Sequence, residues 1–295
     1  MNYLRYSLAP LALLIFLALI ACVLSYLILM IAGDLLPLRK LVSKGTLIFL
    51  ILSLFPLRHY LNLSWNQIGF APKTIFFKQL FLGIGLGVLT LLPLLIVLYG
   101  LDVHVIDTSR SWTILKAVER IAIALLLALL ISFAEEPLFR GLLLTSLRKK
   151  MAVAAAIGIS STYYAALHFL KSKTPISYED VQFSSGFKLL GEAFSNWLNP
   201  DILSAFIGLF MVGVFLAVIR TQVKQSLGLC IGYHASWVWQ IKVSKDFFNT
   251  NQQSEYLYLV SSYDGLVGPL VSLWMLLLAS AYLGYQFFYR QRSHR

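Results

Sequence analysis

Five ionisable residues lie inside stretches of the sequence that are otherwise apolar. They are Glu135, Glu136 and Arg140 in one stretch, and His168 and His234 in two later ones. An ionisable group at the depth of a bilayer is costly unless it is paired or faces a cavity. We therefore treat these five residues as candidates for a functional site.

The glutamate pair is the most informative part of this set. Glu136 and Arg140 are four residues apart, so on a helix they share a face and are predicted to form an ion pair. Glu135 points about 100° away and has no partner on its own helix, and a buried carboxylate without a cation suits a general base. Pro137 removes a backbone hydrogen bond and is predicted to kink the helix. Adjacent glutamates often lie on solvated helix faces, but residues 121–133 before this pair carry no charge.

The depth of the polar groups is an independent indication of a site. Glu135 lies 15 residues before Lys150, His168 lies 18 after it, and His234 lies 14 after Arg220. If the basic residues mark one interface, helical rise places the three groups about 21–27 Å from it. Each histidine taken alone is equally well explained as a buried core residue whose ring nitrogens are hydrogen-bonded. Their common level predicts that Glu135, His168 and His234 meet.

The chemistry available to such a cluster is limited. No serine or cysteine is recognisably paired with a base, and H-E-x-x-H is absent from the sequence. A glutamate with two histidines can activate water directly, or can hold a zinc ion that does so. Both suit amide hydrolysis, with Glu135 as the base, one histidine holding water and the other stabilising the oxyanion. If zinc is used, its predicted ligands are Glu135, His168 and His234.

The elements that must position these residues are predicted to be membrane helices. The chain is 59% hydrophobic and only 13% charged, whereas soluble domains carry about 25% charge. Apolar runs long enough to cross a hydrocarbon core of about 30 Å recur along it. Eight spans are predicted, at residues 8–32, 44–61, 79–99, 114–147, 151–170, 202–220, 226–243 and 266–288. The second is short and the fourth is overlong, so we expect either to be tilted, broken or partly interfacial.

The predicted organisation is one integral membrane domain over residues 1–295, with the site in a core at 114–243. Residues 171–201 form an extramembrane or interfacial loop, in which 186–197 is read either as an amphipathic helix on the membrane or as a solvated connection. Glycines four apart, at 83 and 87 and at 228 and 232, predict close helix contacts. Cys22 and Cys230 lie in apolar runs and are predicted to be buried thiols.

The distribution of charge bears on the partners of the protein and on its orientation in the membrane. The net charge of +11 comes from basic residues in short loops, which set orientation, so we expect no nucleic-acid partner. Loop charge places both termini, including Arg295, in the cytoplasm, and the polar cluster then lies in the outer half of the membrane. The remaining histidines, His59, His104 and His294, are predicted to be surface residues.

The motifs resemble those of a known family. Glu135-Glu136-x-x-x-Arg140, Tyr164-x-x-x-His168 and His234-Ala235 are similar to the motifs of the CPBP intramembrane proteases. This group includes the CAAX prenyl endopeptidases and bacterial proteins linked to bacteriocin processing and self-immunity. The motifs cover roughly residues 133–238.

The resemblance implies an all-α bundle of about eight spans around an internal polar cavity. It implies that Glu135 and His168 activate the hydrolytic water and that His234 lines the oxyanion site, with Glu136, Arg140 and Tyr164 in support. No cofactor is expected, with zinc as the alternative. The expected substrate is a membrane-anchored or hydrophobic peptide or protein, and the expected location is a bacterial cytoplasmic membrane. CAAX processing is cytosolic, so either the orientation is reversed or this protein takes substrate from outside.

One position departs from the family pattern. Val238 stands four residues after His234, where the family usually has asparagine or aspartate, so one oxyanion donor is missing. Ser236 and Gln240 are the nearest polar alternatives. Three hypotheses follow: an intramembrane endopeptidase, a catalytically impaired relative that binds or chaperones membrane segments, and a transporter. The absence of an inverted repeat in the sequence counts against the transporter.

Overall fold

The computed structural model describes residues 2–34 and 36–293 and is built from helices. The longer helices are α1 (Asn2–Ala32), α2 (Leu38–Tyr60), α4 (Lys73–Gly100), α5 (Ile114–Glu136), α7 (Val153–Leu167), α8 (Ser185–Ser195), α9 (Leu203–Gln222), α10 (Leu227–Phe247) and α11 (Pro269–Ser293). The shorter ones are α3 (Trp65–Ile68), α6 (Leu144–Arg148) and 3₁₀ turns at Tyr178–Asp180, Asn196–Leu198, Pro200–Ile202 and Leu257–Leu259. The predicted all-α membrane bundle is confirmed.

Each predicted span coincides with a helix. Five described helical stretches are long and apolar enough to cross a membrane: Tyr3–Ala32, Leu38–Tyr60, Trp65–Gly100, Pro200–Gln222 and Pro269–Phe287. The other three predicted spans correspond to α5 with α6, to α7 and to α10. Helix α7 is apolar but shorter, and α5 and α10 carry ionisable residues that lower their hydropathy. The protein is an integral membrane protein.

The overlong fourth span is interrupted, as its length suggested. A seven-residue π-helical segment, Pro137–Leu143, follows α5 and passes directly into α6. Pro137 lacks an N–H and therefore cannot complete the regular hydrogen-bond ladder, and π-helical turns of this kind occur frequently at functional sites. Within the segment, the carbonyl oxygen of Phe139 accepts a hydrogen bond from the Ser160 hydroxyl of α7, at 3.1 Å.

The glycine pairs lie at the most extensive helix contact, between α4 and α10. A Cβ on Gly228 would lie 2.6 Å from the carbonyl oxygen of Phe76, and one on Gly87 would lie 2.6 Å from the Cβ of Ser236. Cβ atoms on Gly83 and Gly232 would approach the facing backbone even more closely. The prediction of close helix packing is confirmed, and this contact fixes α10, which carries His234.

Part of the predicted loop 171–201 packs inside the protein. Residues 186–197 do contain a helix, α8, but its apolar residues Leu189 and Leu190 are buried in a cluster with residues of α1 and α2, including Cys22. A helix is therefore present here, but its apolar face meets protein and not the membrane surface on which the predicted amphipathic helix would lie. The loop is therefore not a simple solvated connection.

A small antiparallel sheet corrects one expectation. Strand β1 (His104–Ile106) pairs with β2 (Phe248–Thr250), with His104 opposite Thr250. His104 was predicted to be a surface residue, which is wrong: it is 6% exposed, and its Nε2 lies 2.8 Å from the carbonyl oxygen of Gly265. Strand pairing turns the His104 ring inward, where Nε2 forms a hydrogen bond with the carbonyl oxygen of Gly265. His59 is exposed as predicted.

Three further predictions concern the two cysteines, the last two residues and the orientation of the termini. Cys22 and Cys230 are free and buried, as predicted. His294 and Arg295 lie outside the described residues. The orientation of the termini stays a prediction.

Candidate active site

The predicted ion pair between Glu136 and Arg140 is present and fully enclosed. Arg140 Nη1 lies 3.0 Å from Glu136 Oε1, and the two side chains are 1% and 0% exposed. The guanidinium also lies 4.1 Å from the centre of the Tyr164 ring, at cation–π distance. Each charge is therefore neutralised inside the bundle, which allows both to be buried.

Glu136 has a second partner that spacing alone did not indicate. Its Oε1 lies 2.8 Å from Nδ1 of His234, on α10. Because a carboxylate only accepts hydrogen bonds, Nδ1 of His234 donates, and this bond fixes the orientation of the ring. Glu136 therefore joins α5 to α10 and aims Nε2 of His234 away from the ion pair.

Glu135 is less enclosed and has a free oxygen. Its side chain is 17% exposed, and Oε2 lies 3.9 Å from Nε2 of His234. This buried oxygen has no hydrogen-bond partner among the described residues. A carboxylate with an unoccupied acceptor next to a cavity can take a proton from a water molecule bound there.

His168 directly follows the last residue of α7, and a hydrogen bond to that helix fixes which ring nitrogen is available. Nδ1 lies 2.8 Å from the carbonyl oxygen of Tyr164 and donates to it. Nε2 is then free to accept from a ligand. The ring also packs edge-on against the Tyr164 ring, with centroids 4.8 Å apart.

The sequence-predicted residues share one cavity. Glu135, Tyr164, His168, His234 and Val238 line a space of about 430 Å³ bounded by α4, α5, α7, α9, α10 and α11. A second space of about 270 Å³, beside α2 and α8, is also lined by Glu135 and His168. The three groups therefore line one internal cavity, as their common depth predicted, and most of the other lining residues are apolar.

A comparison with protein families supports the resemblance found in the motifs. Residues 117–240 match the family model described as Type II CAAX prenyl endopeptidase Rce1-like. The predicted resemblance is confirmed over these residues, which are less than half of the chain. The Rce1-like match includes Glu135, His168 and His234 and indicates a CAAX-type peptidase with a membrane-associated substrate. No curated protein and no solved structure matched the chain.

The departure from the family pattern at Val238 is visible in the cavity. Val238 follows His234 by one helical turn and presents an apolar side chain to the same space. Neither Ser236 nor Gln240, the polar residues suggested as substitutes, lines that cavity. Ser236 is fully buried against Gly87 of α4, and the Gln240 amide donates to the carbonyl oxygens of Gly87 and Ser236, at 3.1 and 3.2 Å.

The geometry also bears on the zinc alternative. Within residues 2–34 and 36–293, no three His, Cys, Asp or Glu side chains are arranged to hold a metal ion. The metal-free expectation and its zinc alternative both stay predictions.

Two contacts of the site were not predicted. One is the hydrogen bond between Glu136 and His234, and the other is the approach of the Tyr164 hydroxyl to His234 Nε2, at 3.4 Å. The residues concerned are 98 and 70 positions apart, so no local pattern could indicate either contact. The shared depth of the motifs was the one available signal.

Proposed function

We propose that this protein is an intramembrane endopeptidase that hydrolyses a peptide bond of a membrane-associated protein or peptide through a water molecule activated by Glu135. One observation carries the proposal: Glu135, His168 and His234, from three separate helices, line a single cavity. The Rce1-like match over residues 117–240 supports the same reaction class.

The proposed mechanism gives each residue a separate task. Water sits between the free Oε2 of Glu135 and Nε2 of His168, and Glu135 takes its proton as the oxygen attacks the carbonyl carbon. The developing oxyanion lies toward His234, whose Nε2 stabilises it when that nitrogen carries a proton. The carboxyl of Glu135 then returns the proton to the leaving amine. Glu136 keeps the His234 ring in place throughout.

The test is proteolysis of a library of fluorogenic and membrane-anchored peptides by the purified protein in detergent. Glu135→Gln should abolish cleavage, because an amide of the same shape cannot take the proton. Glu119→Gln is the matched control, since Glu119 is exposed on the same helix and should leave cleavage unchanged. Normal turnover by the Glu135→Gln protein would contradict the proposal. Loss of cleavage with a chelator and recovery with zinc would replace the metal-free mechanism with a metal-dependent one.

A second candidate function has its own supporting observation. Because Val238 brings no polar group to the cavity, the protein is alternatively a catalytically impaired relative that binds membrane segments there. This candidate predicts no cleavage of any peptide by the wild-type protein, and no gain on Val238→Asn. Retention of a membrane-anchored peptide by both proteins would then support it.

A further inference from the structure

The oxyanion side of the cavity has few groups that can donate a hydrogen bond. Nδ1 of His234 is occupied by Glu136 at 2.8 Å, which leaves one nitrogen of that ring facing the cavity. Val238, one turn further along α10, offers only methyl groups. Stabilisation of a tetrahedral intermediate normally uses more than one donor, so a second polar group must come from another helix if the site is active.

The hydroxyl of Tyr164, on α7, is placed to supply it. Tyr164 is 2% exposed, lines the same cavity as Glu135, and its hydroxyl lies 3.4 Å from Nε2 of His234. We propose that Tyr164 is a further catalytic residue, whose hydroxyl donates a hydrogen bond to the oxyanion in place of the donor absent at Val238. The inference rests on the proposed endopeptidase function and adds one residue to it.

The ring of Tyr164 is held firmly, and its hydroxyl has a long contact with His234 Nε2 and the Arg140 guanidinium as a neighbouring donor. The Arg140 guanidinium lies 4.1 Å from the ring centre, and the Phe139 ring packs edge-on at 5.3 Å. At 3.4 Å the hydroxyl is beyond the usual hydrogen-bond distance to His234 Nε2. A rigid ring with a loosely engaged O–H can turn its proton toward a new acceptor without reorganising its surroundings, which is the property that an oxyanion donor needs.

The proposed step leaves the proton count unchanged. Water gives one proton to Glu135, its oxygen bonds to the carbonyl carbon, and the carbonyl electron pair moves onto the oxygen. That oxygen accepts hydrogen bonds from Tyr164 and, when Nε2 of His234 carries a proton, from that nitrogen; Tyr164 keeps its proton throughout. When the intermediate collapses, the carbon–nitrogen bond breaks and the amine takes the proton from Glu135.

The decisive variant is Tyr164→Phe, which removes one oxygen atom and leaves the ring contacts intact. Loss of a single oxyanion donor typically lowers kcat by about 10²–10³-fold, so we expect a fall of that order in kcat with KM nearly unchanged. Tyr163→Phe is the matched control: the neighbouring hydroxyl donates to the carbonyl oxygen of Ser7, at 2.5 Å, and faces α1. It should keep wild-type kcat.

Two further measurements separate a catalytic role from a structural one. Adding Val238→Asn to Tyr164→Phe should restore part of the lost kcat, because the amide supplies a donor in the same cavity. A phosphinate peptide, which resembles the tetrahedral intermediate, should bind Tyr164→Phe more weakly by a factor similar to the loss in kcat, whereas the uncleaved amide substrate should bind both proteins equally.

The outcomes are distinct. Wild-type kcat in Tyr164→Phe overturns the inference and leaves the proposed function standing. A fall in kcat with unchanged phosphinate affinity and no rescue by Val238→Asn also overturns it, in favour of a structural role. Absence of any Glu135-dependent cleavage by the wild-type protein removes the proposed function and the inference together.

Discussion

Replacing Glu136 with glutamine should leave the guanidinium of Arg140 buried without a countercharge. The two groups are 3.0 Å apart and at most 1% exposed, so solvent screens neither of them. Removing one partner of a buried pair typically costs about 3–5 kcal/mol, and we expect that loss in the free energy of unfolding. Arg140→Met should cost a similar amount, because it leaves the Glu136 carboxylate buried without the guanidinium as its countercharge.

The double variant Glu136→Gln/Arg140→Met distinguishes this explanation from simple loss of packing. If both losses were independent they would add to about 6–10 kcal/mol. Because the double variant buries no unpaired charge, it should be more stable than either single variant. A large non-additive term of this kind is the signature of two groups in direct contact.

The assay is reversible unfolding in mixed detergent and SDS micelles, followed by tryptophan fluorescence. Lys245→Met is the control: Lys245 pairs with Asp264 at 3.2 Å, but the two side chains are 44% and 23% exposed. Its substitution should change stability by less than about 1 kcal/mol. Additive losses in the double variant, or a Glu136→Gln protein as stable as wild type, would refute the account of a buried neutralised pair.

Two further predictions concern the packing and the loops. Gly232→Ala should destabilise the protein by about 1–3 kcal/mol in the same assay, because its Cβ would overlap the carbonyl oxygen of Leu80. Gly284→Ala is the control and should not change stability, because the space around Gly284 is open. Equal effects of the two substitutions would contradict this explanation. The Ser109 side chain and N–H donate to Asp107 and hold the pKa of that carboxyl below its ordinary value. The stability that these hydrogen bonds contribute is present above the pKa that Asp107 has in the unfolded chain. It is lost as pH falls through the lower pKa that Asp107 has in the folded protein. The free energy of unfolding of Ser109→Ala should therefore be lower than that of wild type near neutrality, and the two should begin to converge as the pH falls below about 4. A difference that stays constant with pH would contradict the assignment.

Much of the fold was predictable because its determinants are local. The length and apolar character of each run predicted the helices, and glycines spaced four apart predicted that α4 and α10 pack closely against other helices. The Glu136–Arg140 pair was predictable for the same reason, since helix geometry alone brings those two residues together.

The site was predictable as a set of residues but not as a set of contacts. Depth along each helix indicated that Glu135, His168 and His234 lie at one level. Rotation of each helix about its own axis decides which atoms meet, and this depends on packing between helices distant in sequence. Glu136 was therefore assigned one partner, when its Oε1 serves both Arg140 and His234. His104 was misplaced because strand pairing with residues 248–250 cannot be read from its own neighbourhood.

The π-helical segment Pro137–Leu143 has a consequence for how the chain can vary in length. A π-helical turn holds one more residue than an α-helical turn, so this segment is equivalent to an insertion retained within a helix. Deleting one residue there would restore a regular helix, but it would also rotate everything before it by about 100° relative to α6. Glu135 and Glu136 would then leave the faces on which they meet His234. The spacing of the glutamate–arginine motif is thus a requirement of the backbone as well as of the side chains, and relatives that keep this site should tolerate changes of length in their loops but not here.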